Sequence, residues 1–372
     1  MQPAPSPNDR VRVAVLYGGR SAEHEISRIS ARFVARSLDP ARFEVIPIGI
    51  TQEGRWMLPS GGLAALEAEQ IGGEAIVPEA DRRLVRALSP RPTAPLADIG
   101  HIDVVFPVLH GPYGEDGTMQ GLLELAGVPY VGAGVLGSSL GMDKIAQKQV
   151  LEARGIPVAR FASVLRHAWR SDRERVLERI ESEFAYPVFV KPSNLGSSVG
   201  ITRASRREEL EGALDLAGRY DTRLLVEEGL SGMREIECAV LGNHEPDVSV
   251  LGEIRPTHDF YDYEAKYLDE DGAELVIPAE LPGAVTARVQ ELARDTFLAL
   301  DCAGMARVDF FVGEEGDDIR VNEINTIPGF TQISMFPRLW AASGLPADGL
   351  VARLVELAIE RHAERQALET RR

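Results

Sequence analysis

The sequence predicts an open α/β part followed by an α+β part. Three patterns carry that prediction. Near the N-terminus, apolar runs read as buried strands separated by a helical stretch: Val11–Tyr17, Phe43–Ile50 and Ile102–Leu109, the first ending at Gly18-Gly19 and the last at His110-Gly111. In the second half, strand-like runs follow one another across short polar loops, which builds hairpins. The clearest is Arg307 to Asn325, two runs of period-2 alternation around the polar loop Gly313–Asp318.

In chain order, Met1 to Asp9 is Pro-rich and lacks an apolar signal core, so residues 1–10 are expected to be a disordered leader. After the first strand, Ser21 is expected to N-cap a helix that carries Glu23 and Glu25 in its first turn and reaches about Ser37. Residues 52 to 100 are rich in Gly, Ala, Glu and Pro, with weak helical periodicity, and are expected to be irregular or inserted. A helix follows from Thr118 to Ala126, then a short strand, Val128–Val131. The chain is helical again from Lys144 to Arg154, with Gly155 as the stop. Strands are expected at Pro187–Lys191, Val199–Thr202, Leu224–Glu228 and Glu235–Leu241, and an amphipathic helix from about Pro346 to Glu369.

A length of 372 residues suggests two or three domains, and 44% apolar with 26% charged residues is ordinary for a globular enzyme. The net charge of −17 argues against a nucleic-acid surface and an anionic membrane surface, but leaves room for a nucleotide ligand. Cys238 and Cys302 lie in apolar surroundings and are expected to pack in the core. No stretch approaches the ~20 apolar residues of a membrane span, and a cytoplasmic location follows by default.

Alternation places Arg307 and Asp309 on one face of their strand, and Glu323 and Asn325 on one face of the next. If the faces coincide, two carboxylates and an amide converge beside an arginine, a set that suits Mg2+ shared with substrate phosphates. The alternative is a solvated edge hairpin. No Walker A motif is present. The stretch Lys191-Pro-Ser-Asn-Leu-Gly196-Ser197-Ser198-Val-Gly200 can instead fold over a polyphosphate, with Lys144 upstream as a second cation, or be an ordinary hairpin turn. Gly132-Ala-Gly134-Val-Leu-Gly137 has dinucleotide-site spacing, but its preceding strand is short and no acid-ended strand follows at the required distance. A tight turn leading into a helix is the better reading. Glu227, Glu228 and Leu230 end a strand that can read an adenine edge and a ribose, or is merely solvated. Phe260 to Tyr267 alternates aromatic and charged residues, as a lid or a self-packed surface loop would. His24 and His110 are functional groups or structural caps, and a zincin site is excluded because no second His stands at the zincin spacing. Pro328-Gly329 forces a turn whose N–H groups suit an oxyanion beside Arg307.

These residues resemble a known family. Gly18-Gly-Arg-Ser-Ala-Glu23-His-Glu-Ile-Ser, His110-Gly-Pro-Tyr-Gly-Glu115-Asp-Gly-Thr, Met142-Asp-Lys144, the Lys191–Gly200 loop, Tyr261-Asp-Tyr-Glu-Ala-Lys-Tyr267, Arg307-Val-Asp309 and Asn322-Glu-Ile-Asn-Thr-Ile-Pro-Gly329 resemble the D-alanine–D-alanine ligases, within the ATP-grasp superfamily, over about residues 11 to 360. The resemblance implies an N-terminal α/β substrate-binding domain (11–140), a central ATP-grasp domain (141–228) and a C-terminal ATP-grasp domain with the metal site (229–372). It implies that Asp309, Glu323 and Asn325 hold two Mg2+ ions (Mn2+ being an alternative), and that Lys144, Lys191 and Ser198 contact ATP. Glu227, Glu228 and Leu230 would line the adenine and Glu235 the ribose. Glu23 would bind the first D-alanine, with His110 in the same site, and Ser197 and Tyr267 would bond to Glu23. Arg307 and Gly329 would form the oxyanion hole, and Lys266 and Ser334 would meet the phosphate and the second D-alanine. The implied reaction passes through an acyl phosphate and serves peptidoglycan synthesis, in a cytoplasmic homodimer. The resemblance also implies that Tyr267 favours a dipeptide over an ester product. Other readings are a different carboxylate–amine ligase, a dehydrogenase using Gly132–Gly137, and a non-catalytic nucleotide sensor.

Overall fold

The computed structural model describes residues 10–59, 62–67, 73–76, 101–196, 199–256, 273–316 and 318–369. The N-terminal part comprises β1 (Val11–Gly18), α1 (His24–Ser37), β2 (Phe43–Ile50), β3 (Trp56–Pro59), α2 (Leu63–Glu67), β4 (Gly73–Ile76), β5 (Val104–Val108), α3 (Thr118–Ala126) and α4 (Val135–Met142). Its sheet has the order β4-β3-β2-β1-β5, with β2 and β5 parallel to β1 and with β3 and β4 added antiparallel. Alternate residues of β1 enter different cores. Val13, Val15 and Tyr17 pack with Ala31 and Val34 of α1, while Ala14 and Leu16 pack with Met119 and Leu123 of α3. Burial on both faces is why these strands are unbroken apolar runs.

Three local expectations need correction here. The described part of 52–76 is not irregular but forms β3, α2 and β4; two four-residue strands are too short to show a period. Residues 77–100 and the leader 1–9 lie outside the described residues. Val128–Val131 is reduced to a single parallel bridge between Val105 and Tyr130, because Pro129 offers a carbonyl but no N–H. Helix α1 begins at His24 with Glu23 as its boundary residue, and the Ser21 hydroxyl accepts the Glu23 N–H at 3.2 Å instead of capping the helix.

The middle of the chain comprises α5 (Lys144–Ala153), β6 (Phe161–Leu165), α6 (Arg166–Ser171), α7 (Arg173–Glu183), β7 (Val188–Pro192), β8 (Thr202–Ala204), α8 (Arg207–Tyr220) and β9 (Arg223–Glu228). Asp143 caps α5 by accepting from the N–H groups of Ile145 and Ala146, and Gly155, at φ +71°, follows its end. The antiparallel sheet β6-β9-β7-β8 has its own core, built from Val188, Val190, Leu224, Trp169, Leu177 and Leu214. The returning strand is Thr202–Ala204 rather than Val199–Thr202, since Gly200 at φ +75° interrupts the extended run.

The C-terminal part comprises β10 (Met233–Gly242), β11 (Asp247–Pro256), β12 (Ala273–Val276), α9 (Gly283–Ala299), β13 (Gly304–Gly313), β14 (Ile319–Asn325), α10 (Met335–Ala342) and α11 (Ala347–Gln366). Its sheet is antiparallel in the order β12-β11-β10-β13-β14. Ile236, Cys238, Val308 and Phe310 pack against Leu292 and Phe297 of α9, and both cysteines are buried free thiols in this core, as expected. Leu151, Ile156 and Val158, just after and within the end of α5, join it too. The boundary drawn at residue 140 therefore falls inside α4, and α5 packs with the C-terminal sheet.

On the opposite face Ala239, Leu241 and Met305 meet α10 and α11 and merge with Val13, Val15, Tyr17 and Phe106 into one core. Phe330 sits at this junction, edge-on to Phe106 at 6.0 Å and 5.4 Å from Phe336. Among the described residues, no helix is long and apolar enough to cross a membrane.

Candidate active site

The carboxyl ends of β1 and β5 open the site. Gly18 holds φ +90°, and a Cβ there would lie 2.2 Å from the Ile50 carbonyl oxygen, so only glycine lets the chain turn into α1. That turn buries Glu23 and His24. His24 Nδ1 lies 2.8 Å from the Gly19 carbonyl oxygen, which favours the structural reading of this residue. His110 Nδ1 lies 3.0 Å from the Ile327 carbonyl oxygen and ties the end of β5 to the segment after β14. Burial lowers the His110 pKa, although the Glu23 charge pulls the other way, so the ring is neutral and Nδ1–H donates to Ile327.

Beside it Glu115 accepts the Gly111 N–H at 2.9 Å. Burial and then the Glu23 charge push the Glu115 carboxyl up to about 8. The folded value lies above the ordinary carboxyl value of 4.5, so the folded protein keeps a proton that the unfolded chain loses. Glu115 therefore costs stability increasingly as pH rises from about 4.5 to about 8. Glu115→Gln preserves an acceptor for Gly111. It is expected to leave denaturant stability near wild type at the acid end of that window, and to raise it by about 1–4 kcal/mol at the alkaline end.

The hairpin is in the expected register: Arg307 stands opposite Asn325 and Asp309 opposite Glu323, with a bulge after Asp309. The four side chains share one face. It is not a solvated face, since the Arg307 and Asp309 side chains are only 17% and 14% exposed. Arg307 binds Asp309 in a fork, both contacts 2.7 Å, and lies 3.0 Å from Glu237 on the neighbouring β10. Glu235 is two residues before Glu237 on that strand and faces the same side. Asn325 accepts the Ile327 N–H through its side-chain oxygen at 3.2 Å. Lys144 reaches in from the start of α5, 2.9 Å from Glu323 and 3.1 Å from the Leu195 carbonyl oxygen.

A second charged cluster lies behind. Glu227 on β9 is buried, with Lys148 2.6 Å from one carboxylate oxygen and Lys191 2.5 Å from the other. Burial alone would raise its pKa; the two ammonium groups outweigh this and hold it at about 2. The Glu227 side chain is thus taken up by the lysines, and Glu228 accepts the Arg160 N–H at 2.7 Å. Leu230 is half-buried just beyond.

Lys191 leads into the proposed phosphate loop, which is fastened at its base. Asp143 accepts from the Ser193 hydroxyl at 2.8 Å, from the Asn194 amide at 3.3 Å and from Arg223, while the Lys144 N–H donates to the Ser193 carbonyl at 3.0 Å. Its tip reaches the first cluster: a Cβ on Gly196 would lie 3.2 Å from the Glu23 carboxylate. Ser197, Ser198, Lys266 and Tyr267, with the whole aromatic stretch from Phe260, lie outside the described residues. Pro328-Gly329 does not form the expected turn; the chain bends at Thr326-Ile327 and turns at Gln332-Ile333, where the Thr331 N–H donates to the Ser334 hydroxyl at 3.0 Å. Gly329 runs so close to Ser334 that a Cβ would lie 2.9 Å from its hydroxyl oxygen. Gly134 precedes α4 and Gly137 faces the Asp301 carbonyl, 2.4 Å from where a Cβ would stand, so these glycines serve helix packing.

Four residues without an assigned role prove central: Asp143, Lys148, Glu115 and Glu237. Lys148 had one available signal, its spacing of four from Lys144 on the same helix face. Asp309, Glu323 and Asn325 form an all-oxygen donor set on adjacent strands, which fits a hard divalent cation that takes its remaining ligands from phosphates and water. Among the described residues, no group of three or more His, Cys, Asp or Glu side chains could hold a metal by itself.

The model for the D-Ala D-Ala ligase N-terminus matches residues 12–133, and that for the D-Ala D-Ala ligase C-terminus matches residues 150–356. The chain is also 48% identical over 363 residues to a D-alanine–D-alanine ligase of Caldicellulosiruptor bescii, covering 97% of this chain and 98% of that one. The chain belongs to the D-alanine–D-alanine ligase family. D-alanine–D-alanine ligase A of Bradyrhizobium diazoefficiens is 49% identical over 373 residues, covering 97% and 98% of the two chains. Among solved structures, the D-alanine–D-alanine ligase of Coxiella burnetii superimposes with a TM-score of 0.77 at 41% identity, over 96% of each chain. The VanG D-Ala:D-Ser ligase of Enterococcus faecalis reaches 0.82 at 37% identity, over 94% of this chain and 99% of its own. Family membership makes the chain an ATP-using ligase and removes the dehydrogenase reading of Gly132–Gly137.

Proposed function

We propose that the chain joins two D-alanine molecules into D-alanyl-D-alanine for peptidoglycan precursors, with the site divided as follows. Glu23 receives the ammonium group of the first D-alanine. Glu115, protonated beside it, leaves the pocket with one carboxylate charge rather than two, which matches a single ammonium. Lys144 and Lys191, with Ser198 and Lys266, meet the ATP phosphates, and the strand end at Glu227, Glu228 and Leu230 with Glu235 holds the nucleoside. The first D-alanine carboxylate attacks the γ-phosphate to give an acyl phosphate and ADP. The amine of the second D-alanine, held through Ser334, then attacks the acyl carbon and phosphate leaves. Arg307 and the Gly329 N–H would stabilise the charge that develops on the acyl oxygen. His110 fixes the wall of the pocket. By the family resemblance Ser197 and Tyr267 would bond to Glu23 in the substrate complex, and exclusion of water there would protect the acyl phosphate. Asp309, Glu323 and Asn325 would hold Mg2+, which when bound screens the repulsion between carboxylate and polyphosphate.

One observation carries this reading. The cross-strand pairs Arg307–Asn325 and Asp309–Glu323 meet Lys144, and the phosphate loop extends from there to Glu23. That arrangement joins a cation-and-phosphate site to an ammonium site. The test is phosphate release with Mg2+ and ATP: it is expected with D-alanine and absent with L-alanine or without amino acid. Arms with D-serine and D-lactate as second substrate measure selectivity, which matters because a D-Ala:D-Ser ligase is among the similar structures. No phosphate release with D-alanine would overturn the proposal and leave another carboxylate–amine ligase. A homodimer belongs to the same reading, and light scattering on the eluting protein checks it.

A further inference from the structure

We propose that Lys148 is a positioning residue for ATP: it holds Glu227 so that Lys191 is released to the nucleotide phosphates. The inference rests on the assignment of Lys191 to ATP. Lys144 and Lys148 stand one helical turn apart on α5, yet their surroundings differ. Lys144 and Lys191 each have side chains 12% exposed, whereas that of Lys148 is 1% exposed. Lys148 is thus the least accessible of the three lysines to a phosphate. Its ammonium group contacts one oxygen of Glu227 at 2.6 Å and the Asn322 carbonyl at 3.1 Å, next to Glu323 on β14. Lys191 contacts the other oxygen of Glu227 at 2.5 Å.

The charge arithmetic gives Lys148 its role. A buried carboxylate needs a cation within reach. With two lysines on Glu227, one can leave and the carboxylate stays paired; with Lys191 alone, departure strands a buried charge. Lys148 is the one fixed in place, because it is also bonded to the β14 backbone and lies on the helix that carries Lys144. Burial lowers its pKa, and the Glu227 charge opposes that shift.

The experiment uses the full chain and measures ATP binding by titration calorimetry without D-alanine, followed by KM for ATP and for D-alanine. Lys148→Met is expected to weaken ATP binding at least ~10-fold with little change in KM for D-alanine, because Lys191 then stays on Glu227. The double variant Lys148→Met/Glu227→Gln removes the charge that retains Lys191, keeps the Glu227 backbone through which the strand end would hold the nucleoside, and is expected to recover much of that loss. A general packing defect would not be repaired by a second change. The double variant also keeps the inference testable if the single variant folds poorly, since its neutral pair leaves no stranded carboxylate. ATP binding by Lys148→Met equal to wild type, equal losses for both substrates, or a double variant no better than the single one each overturns the inference. Failure of the wild-type chain to bind ATP would instead overturn the functional proposal beneath it.

Discussion

Replacing Arg307 by methionine is expected to lower kcat by about 10²–10³-fold, with a much smaller change in KM for either substrate. The reason is its placement. The guanidinium is held in a plane by two 2.7 Å bonds to Asp309, and its Nε also lies 3.0 Å from Glu237, so it is oriented before any substrate arrives. A donor fixed in advance stabilises charge that appears only during reaction, without reorganising. Arg307→Lys should recover little, because an ammonium cannot reproduce the fork with Asp309. Steady-state phosphate release and single-turnover acyl transfer measure the effect. A kcat within about threefold of wild type in Arg307→Met would remove Arg307 from the oxyanion site and make it only a partner of Asp309.

The second large effect is on stability in acid. Glu227 has a folded pKa of about 2 against an ordinary carboxyl value of 4.5. A carboxylate depressed in this way contributes stability that is fully present above about 4.5 and is lost as pH falls toward about 2. The difference, 4.5 − 2 = 2.5 pH units, corresponds to about 3 kcal/mol from one side chain. Glu227→Gln is expected to be less stable than wild type at neutral pH by about 3–5 kcal/mol, since two lysines lose their carboxylate. It should then change less than wild type on acidification, so the two curves approach one another. Denaturant unfolding across this pH range tests it. Parallel curves for the two proteins would show that Glu227 is not the group that acid titrates.

The hairpin was readable because β13 and β14 alternate strictly, and alternation determines which side chains share a face even before the partner strand is known. Arg307, Asp309, Glu323 and Asn325 could therefore be grouped from spacing alone. Lys148 could not. In sequence it looks like any exposed helical lysine, and its burial depends on Glu227 and Asn322, which are 79 and 174 residues away. Glu115 is hidden in the same way: its proton is set by burial and by Glu23, neither of which a local pattern records. Ser21 and Val128–Val131 show the opposite error, local rules overridden by context. The hydroxyl found a nearer N–H, and Pro129 withheld a strand donor. Motif resemblance supplied the substrate, which no spacing encodes.

The merged core beneath the site has a mechanical consequence. Val13, Tyr17 and Phe106 interlock with Ala239, Met305 and Phe330, so there is no slip plane between the N-terminal and C-terminal sheets. The four-stranded sheet carrying Lys191 and Glu227 keeps a separate interior. Relative movement of the described sheets is therefore expected in that smaller body, while Glu23, Arg307 and Asp309 stand on elements that share one core. An amino-acid pocket and an oxyanion donor built on one core are expected to keep their alignment when the loop after Lys191 moves.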